Sequence, residues 1–295
     1  MKNILIIGGC GYIGSKLFLY LKEKNYPVQT VDLEWFGNVI NPKNKKKDYL
    51  ILTKKFLSSF DVIILLAGHS TVAMCENDVV GSFKNNIVNF VELLEKLQNQ
   101  TLIYASSFRV YGDTGSKLTK EQGNPTALVK YYDLTKKIID DYASLSGVNY
   151  FSLRMASVNG YSPNLRTTQM INQMYSDAIK YNKIRIYNPH AHRSILGIND
   201  FCHCIENIIE KKAKRGVYNI ASFNGTIKEI GSKVSRLLEV SLEVKGSGVK
   251  KSSTLIDTGK FEKAFNFTFM DTVESIIKTL IDNNAKNAKI IAEDK

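Results

Sequence analysis

Residues 1–14 read MKNILIIGGCGYIG: an apolar run, Ile4-Leu5-Ile6-Ile7, passes directly into glycines and then into a helical pattern. The run has no polar alternation, so it predicts a strand buried on both faces, as in a parallel sheet covered by helices. Gly9, Gly11 and Gly14 satisfy G-x-G-x-x-G, and Gly8, Gly11 and Gly14 satisfy G-x-x-G-x-x-G. Either spacing lets the chain turn tightly, brings bare backbone to a pyrophosphate, and starts a helix whose free N–H groups face that anion.

Ordinary turns also collect glycines, so the residues downstream of the motif decide its reading. A helical stretch over residues 15–24 leads to a second strand over 28–33, which carries Asp32, 18 positions after Gly14. That is close to the ~20 residues at which an acid meets the adenosine ribose hydroxyls. A carboxylate there would repel a 2′-phosphate, so the pattern predicts NAD rather than NADP. The plain alternative for Asp32 is a turn residue at a strand end.

The chain has 295 residues, 44% of them hydrophobic, enough for a substantial core. Its longest apolar runs fall far short of the ~20 residues that span a bilayer, and the N-terminus enters a strand without a signal-peptide layout. The expected location is the cytoplasm, with no membrane partner. Cys10, Cys75, Cys202 and Cys204 form no C-x-x-C pair, and Cys202-His203-Cys204 lies in a helical pattern that points its members apart, so no metal is expected. The net charge of +12 would suit nucleic acid or an anionic small molecule. The lysines are dispersed, and the one dense run, residues 43–47, has no interleaved aromatics. No nucleic acid is expected.

Further strands are predicted over residues 48–52, 61–67, 102–105 and 150–155, with helices over 82–97 and 126–145. This alternation predicts an α/β fold, a Rossmann-type doubly wound parallel sheet. Its carboxyl edge would carry Gly68 and then Ser106 and Ser107, with Asp48 near the adenine end. A helix over 167–181 and a strand over 183–187 begin a smaller α/β C-terminal substrate domain, and a strand over 217–220 returns to the first sheet. The expected division is an NAD-binding domain, residues 1–160 with 194–221, and a substrate region, 161–193 with 222–295. A polar, frayed tail is expected from Asp282 onward.

Tyr132 and Lys136 are four apart on a predicted helix and share a face. Bringing a tyrosine from ~10 to near 7 takes about 4 kcal/mol of phenolate stabilisation, which a nearby ammonium and a positive nicotinamide ring can supply. Ser107 would then hydrogen-bond the reacting oxygen. Y-x-x-x-K alone is common in a chain rich in both residues, so order and context carry the assignment.

Read in order, Gly-Gly-Cys-Gly-Tyr-Ile-Gly (8–14), Asp32, Leu-Leu-Ala-Gly (65–68), Asn-Asn-Ile-Val-Asn (85–89), Ala-Ser-Ser-Phe-Arg-Val-Tyr-Gly (105–112), Tyr132 with Lys136, Leu-Arg (153–154) and Arg-Ser-Ile-Leu-Gly-Ile-Asn-Asp (193–200) form one pattern. By it the chain resembles the extended short-chain dehydrogenase/reductases, in particular the NAD-dependent nucleotide-sugar epimerase/dehydratase group. The resemblance implies Tyr132 as general acid and base, with Lys136 beside it on the nicotinamide ribose. Ser107 and Ser157 would contact the sugar, and Arg193 the nucleotide diphosphate. The cofactor contacts it implies are Gly8, Gly11, Tyr12, Ile13, Gly14, Asp32, Leu33, Asp48, Leu66, Ala67, Gly68, Asn86 and Met155, with Tyr132 and Lys136.

Departures from the family pattern narrow the chemistry. Phe108 and Arg109 stand where 4,6-dehydratases carry an Asp-Glu pair, and decarboxylating relatives also place a Glu at the second position. Ser157 replaces the asparagine of sugar 4-epimerases. The resemblance therefore points to a 4-epimerase-like enzyme on a nucleotide sugar, working as a homodimer. Two alternatives stay open: a reductase of a keto-deoxy nucleotide sugar, and a non-catalytic relative that binds NAD or RNA. His69, His190 and His192 lie near the expected cleft, and each reads more simply as a structural or surface residue.

Overall fold

The computed structural model describes residues 1–41, 43–123, 128–246 and 253–293, with side chains up to 283. The unalternating run Ile4–Ile7 is the buried strand that its composition demands. Ile4 and Ile6 pack into a core with Leu17, Leu21 and Phe201 on one face, and Leu5 and Ile7 into a core with Phe90 and Leu93 on the other. Six strands form the main sheet: β1 (Ile4–Ile7), β2 (Val28–Val31), β3 (Val62–Leu65), β4 (Thr101–Ser107), β5 (Asn149–Met155) and β6 (Gly216–Ile220). Their order is β6-β5-β4-β3-β1-β2, and every pairing is parallel. The chain winds outward from β1 in both directions, so the crevice beyond the carboxyl ends of β1 and β3 is where a doubly wound sheet takes its ligand. The strand around residue 217 does return to this sheet.

The remainder builds a smaller α/β region. Strands Ser157–Asn159, His192–Gly197 and Phe223–Thr226 form a three-stranded sheet, and Lys183–Tyr187 pairs with Ser241–Lys245. Helices Met170–Tyr181, Ile227–Leu237 and Val273–Glu293 enclose a core around Ile171, Ile184, Ile230 and Ile277. The expected frayed tail is instead the second half of that last helix. Among the described residues no helix is long and apolar enough to cross a membrane.

Two expected elements differ. Residues 48–52 form no strand: Tyr49–Ile51 is a single 3-10 turn, with the Asp48 carboxylate accepting from the Leu50 N–H at 3.0 Å. Thr53 then caps the short helix Lys54–Leu57, so two caps five residues apart leave no length for a ladder. The single helix expected over 82–97 starts at Val72 and is broken into Val72–Asn77, Val79–Phe83, a π-helical turn at Lys84–Val88, and Asn89–Leu94. Asp78 makes the first break by capping Gly81, and such π turns favour functional sites. The helix expected over 126–145 is Tyr131–Leu145; Thr126 and Ala127 lie outside the described residues.

Candidate active site

The glycine loop is closed by backbone contacts that admit no side chain. At Gly8, with φ of +91°, a Cβ would lie 2.5 Å from the Ala67 nitrogen, and at Gly14 it would lie 2.1 Å from the Gly8 carbonyl oxygen. Gly11 is the N-cap of helix Tyr12–Glu23, and no side chain caps that helix, which leaves its first N–H groups to an anion. The Tyr12 hydroxyl donates to the Gly160 carbonyl at 2.8 Å, and Ile13 packs against the core. Asp32, just past β2, accepts from the Cys10 N–H at 2.9 Å and the Glu34 N–H at 2.6 Å, which ties the strand end to the loop. Burial, then Asp32 and Glu34, push the Cys10 thiol up to about 12. Leu33 is next in the chain and exposed.

Beyond β3, the Leu66 and Ala67 N–H groups both donate to the Ile7 carbonyl, at 2.8 and 3.0 Å. Gly68 lies so close to Asn86 that a Cβ would meet Oδ1 at 2.7 Å. Asn86 accepts from the His69 N–H at 2.8 Å and donates to the His69 carbonyl and Thr135 Oγ1, each at 3.1 Å. Its amide is committed within the protein, bracing the Gly68 loop against helix Tyr131–Leu145. The Asp48 carboxylate is likewise committed, to its own turn. Cradle, open helix end and strand-end carboxylate together fit a dinucleotide.

Ser107 and Met155 are register partners at the carboxyl ends of β4 and β5. Tyr132 and Lys136 approach this edge from helix Tyr131–Leu145. Lys136 is buried, and its Nζ donates to the Ala105 carbonyl at 2.7 Å, 5.9 Å from the centre of the Tyr132 ring. Burial pulls the lysine down to about 8, against the charge of Asp140. Burial pushes the Tyr132 phenol up, while Ser107 and then the Arg109 cation oppose it.

On the opposite wall, Ser157 donates to Gln169 Oε1 at 3.0 Å. Arg193 donates to the His192 carbonyl at 2.7 Å, and burial with the nearby Arg109 charge moves it below the usual arginine range. The structure thus brings Ser107, Tyr132 and Lys136 to one edge and places Arg193 within electrostatic reach of it. His69 is a bracing residue, with Nδ1 3.1 Å from Asn85 Nδ2, Nε2 3.4 Å from Asp78 and Trp35 edge-on at 5.4 Å. His190 is exposed. Cys202 and Cys204 are both buried in helix Ile198–Glu210, and among the described residues no cluster could hold a metal.

Sequence reading missed three sets of contacts here. Arg109 forms a bidentate pair with Asp133, Nε to Oδ1 at 2.6 Å and Nη2 to Oδ2 at 3.0 Å. Asn164 reaches from the substrate region to the Cys10 carbonyl at 2.8 Å and the Phe36 carbonyl at 3.1 Å. Arg166 donates to Ser70 Oγ at 3.4 Å and lies within electrostatic range of Tyr132. None of these contacts leaves a periodic signal in sequence.

The model of the NAD dependent epimerase/dehydratase family matches residues 4–221, more than half of the chain. A putative UDP-glucose 4-epimerase of Methanocaldococcus jannaschii is 30% identical over 172 residues, covering 53% of this chain and 56% of that protein. The UDP-glucose 4-epimerase of Halalkalibacterium halodurans is 26% identical over 177 residues, 55% of this chain and 53% of that one. The chain therefore spans about half the length of these curated relatives. The fold is that of the Thermotoga maritima UDP-glucose 4-epimerase solved with UDP-glucose, at a TM-score of 0.85 and 20% identity over 97% of this chain and 99% of that one. The chain belongs to the NAD-dependent epimerase/dehydratase family, whose members are enzymes with NAD as cofactor.

Proposed function

We propose that the protein is a nucleotide-sugar epimerase of the 4-epimerase kind. The observation that carries this reading is the corner beside Ser107. Ser107, Tyr132 and Lys136 are gathered there, yet the position where an acid would serve elimination holds Arg109, locked onto Asp133. That corner supports oxidation and return of a sugar hydroxyl, and the carboxylate it does contain, that of Asp133, is held by Arg109 rather than left free to serve dehydration.

The glycine loop and Asp32 would hold NAD, which would supply a hydride acceptor able to give the hydride back. Tyr132 takes the hydroxyl proton of the sugar as the carbonyl forms and returns it after the keto sugar has turned in the cleft. Lys136 keeps positive charge near the phenolate, and by the family resemblance it would also meet the nicotinamide ribose. Ser107 orients the reacting oxygen, and Ser157 meets the sugar from the other wall. Arg193 pairs with the nucleotide diphosphate, a planar fork suited to that anion.

The reading includes a homodimer in the cytoplasm. Helices between Val72 and Leu94 lie against helix Tyr131–Leu145, and their outer faces expose Val80 (81%), Phe83 (49%) and Leu134 (43%), apolar area that a second copy would cover. All four cysteines are unpaired and buried, in keeping with a reducing compartment. Incubation with NAD and a panel of UDP-, GDP-, CDP- and dTDP-sugars tests the activity. Interconversion without net NADH change is expected, whereas steady NADH consumption by a keto sugar would establish the reductase instead. Sedimentation at micromolar concentration should give a dimer, and a monomer there removes that part of the reading.

A further inference from the structure

Arg109 and Asp133 have no task in the reaction as described, yet they join the two residues that handle the proton. The turn Phe108–Tyr111 starts at Ser107, whose Oγ accepts from the Arg109 main-chain N–H at 3.2 Å. The Arg109 side chain crosses to Asp133, which is 2% exposed in the first turn of helix Tyr131–Leu145 and adjacent to Tyr132. One residue therefore holds the serine through its backbone and the tyrosine's neighbour through both arms of its guanidinium. Two parallel hydrogen bonds fix orientation as well as distance, which an ammonium cannot do.

Lys136 cannot play this part from where it lies, because its Nζ is held by the Ala105 carbonyl. Nor is the pair a surface ornament: the buried Asp133 carboxylate needs a cation, and among the described residues Arg109 is the one in contact. The groups facing Tyr132 are Ser107 at the end of β4, Arg109 in the turn, Cys75 from helix Val72–Asn77, Arg166 from the loop after Asn159, and Asp133 and Lys136 on its own helix. Glu76 and Lys130 act on Asp133 in turn.

We propose that Arg109, through its bidentate pairing with Asp133, is a positioning residue that holds Ser107 and Tyr132 in register for proton transfer. This rests on Tyr132 as the proton carrier. It also gives a purpose to the arginine that stands where the acid of other chemistries would be.

The test is steady-state kinetics across about pH 5 to 10 on NAD-loaded Arg109→Met, Arg109→Lys and Asp133→Asn, beside Tyr132→Phe. A misplacement of about 1 Å costs on the order of 10²-fold, so Arg109→Met should lose about that in kcat while KM and NAD affinity hold. Removing the cation also raises the phenol, so the rising limb of kcat/KM should move to higher pH. Arg109→Lys keeps charge without the fork, so the limb should stay in place while kcat remains low. Should Arg109→Met fail to fold because Asp133 is left unpaired, Arg109→Lys and Asp133→Asn still decide. Wild-type kcat in Arg109→Lys, or a change in KM alone, overturns the proposal. An inactive Tyr132→Phe alongside an Arg109→Met with normal kcat and pH profile overturns the clamp and leaves the proton carrier standing. An active Tyr132→Phe removes the reading beneath it.

Discussion

On the side of the glycine loop the cleft presents backbone, and on the side proposed for the sugar it presents side chains. The cofactor wall is Gly8 against Ala67 at the end of the neighbouring strand, Gly14 against the Gly8 carbonyl, and an uncapped helix end, with the glycines themselves inside residues 8–14. The wall proposed for the sugar is Ser157 on Gln169, Arg193 on the strand His192–Gly197, and Arg166 reaching Ser70. A backbone cradle requires particular glycines at particular spacings. A side-chain wall can be rebuilt by changing loop residues while the fold is kept. Cofactor identity is thereby written in a motif, and sugar identity is not.

Substitutions that separate the two walls test this contrast. Tyr132→Phe removes the proton carrier and keeps the ring, so turnover should fall by about 10²- to 10⁴-fold while NAD affinity changes by less than about tenfold. Retention of more than about a tenth of wild-type turnover would mean that the Tyr132–Lys136 spacing is coincidental.

Lys136→Met should weaken both walls at once, lowering turnover and NAD affinity, because Lys136 stands between the phenol and the Ala105 edge. The same residue sets a pH limit. Burial brings it down to about 8, so its ammonium, and the activity that needs it, should decline as the pH rises through that value. The stability of the apoprotein runs the opposite way. The depressed folded-state value penalises folding fully below about 8, and that penalty is relieved as the pH climbs from there towards the unfolded value of 10.5. A flat pH–rate profile between 7 and about 10 in the wild type would show that the ammonium is dispensable.

Asp32→Ala should act on the cofactor wall alone. NAD affinity should fall by about 10- to 100-fold, the ~1.5–3 kcal/mol of a hydrogen bond to a charged group, and the preference over NADP should narrow with it. The Asp32 bond to the Cys10 N–H also shapes the glycine loop, so part of this loss will be loop disorder. Fluorescence titration with both cofactors reads the effect, and an unchanged ratio of affinities would remove Asp32 from the choice of cofactor.

Legibility in sequence divides along the same line. Ile4–Ile7 with its glycines, the strand delivering Ser107, and the four-residue spacing of Tyr132 and Lys136 are local patterns, and local patterns survive in one dimension. The strand expected at residues 48–52 failed because Asp48 and Thr53 cap turns on either side of it, so capping overrode the apolar run. The helix expected at 82–97 failed because Asn86 turns inward to brace the Gly68 loop, at a π turn that no 3.6-residue period contains. Arg109 and Asp133 are 24 residues apart, and Asn164 is 154 from the carbonyl it holds. Such pairs exist only once the sheet has brought its loops together.

The central claim is that hydride leaves one face of the sugar and returns to the other within a single enzyme. It is tested most directly with the substrate found in the nucleotide-sugar panel, labelled with deuterium at C4 and turned over with catalytic NAD in ordinary water. The account predicts an epimer that keeps its deuterium at C4, with no accumulation of NADH. Loss of the label to solvent, or its appearance in released cofactor in proportion to product, would contradict it.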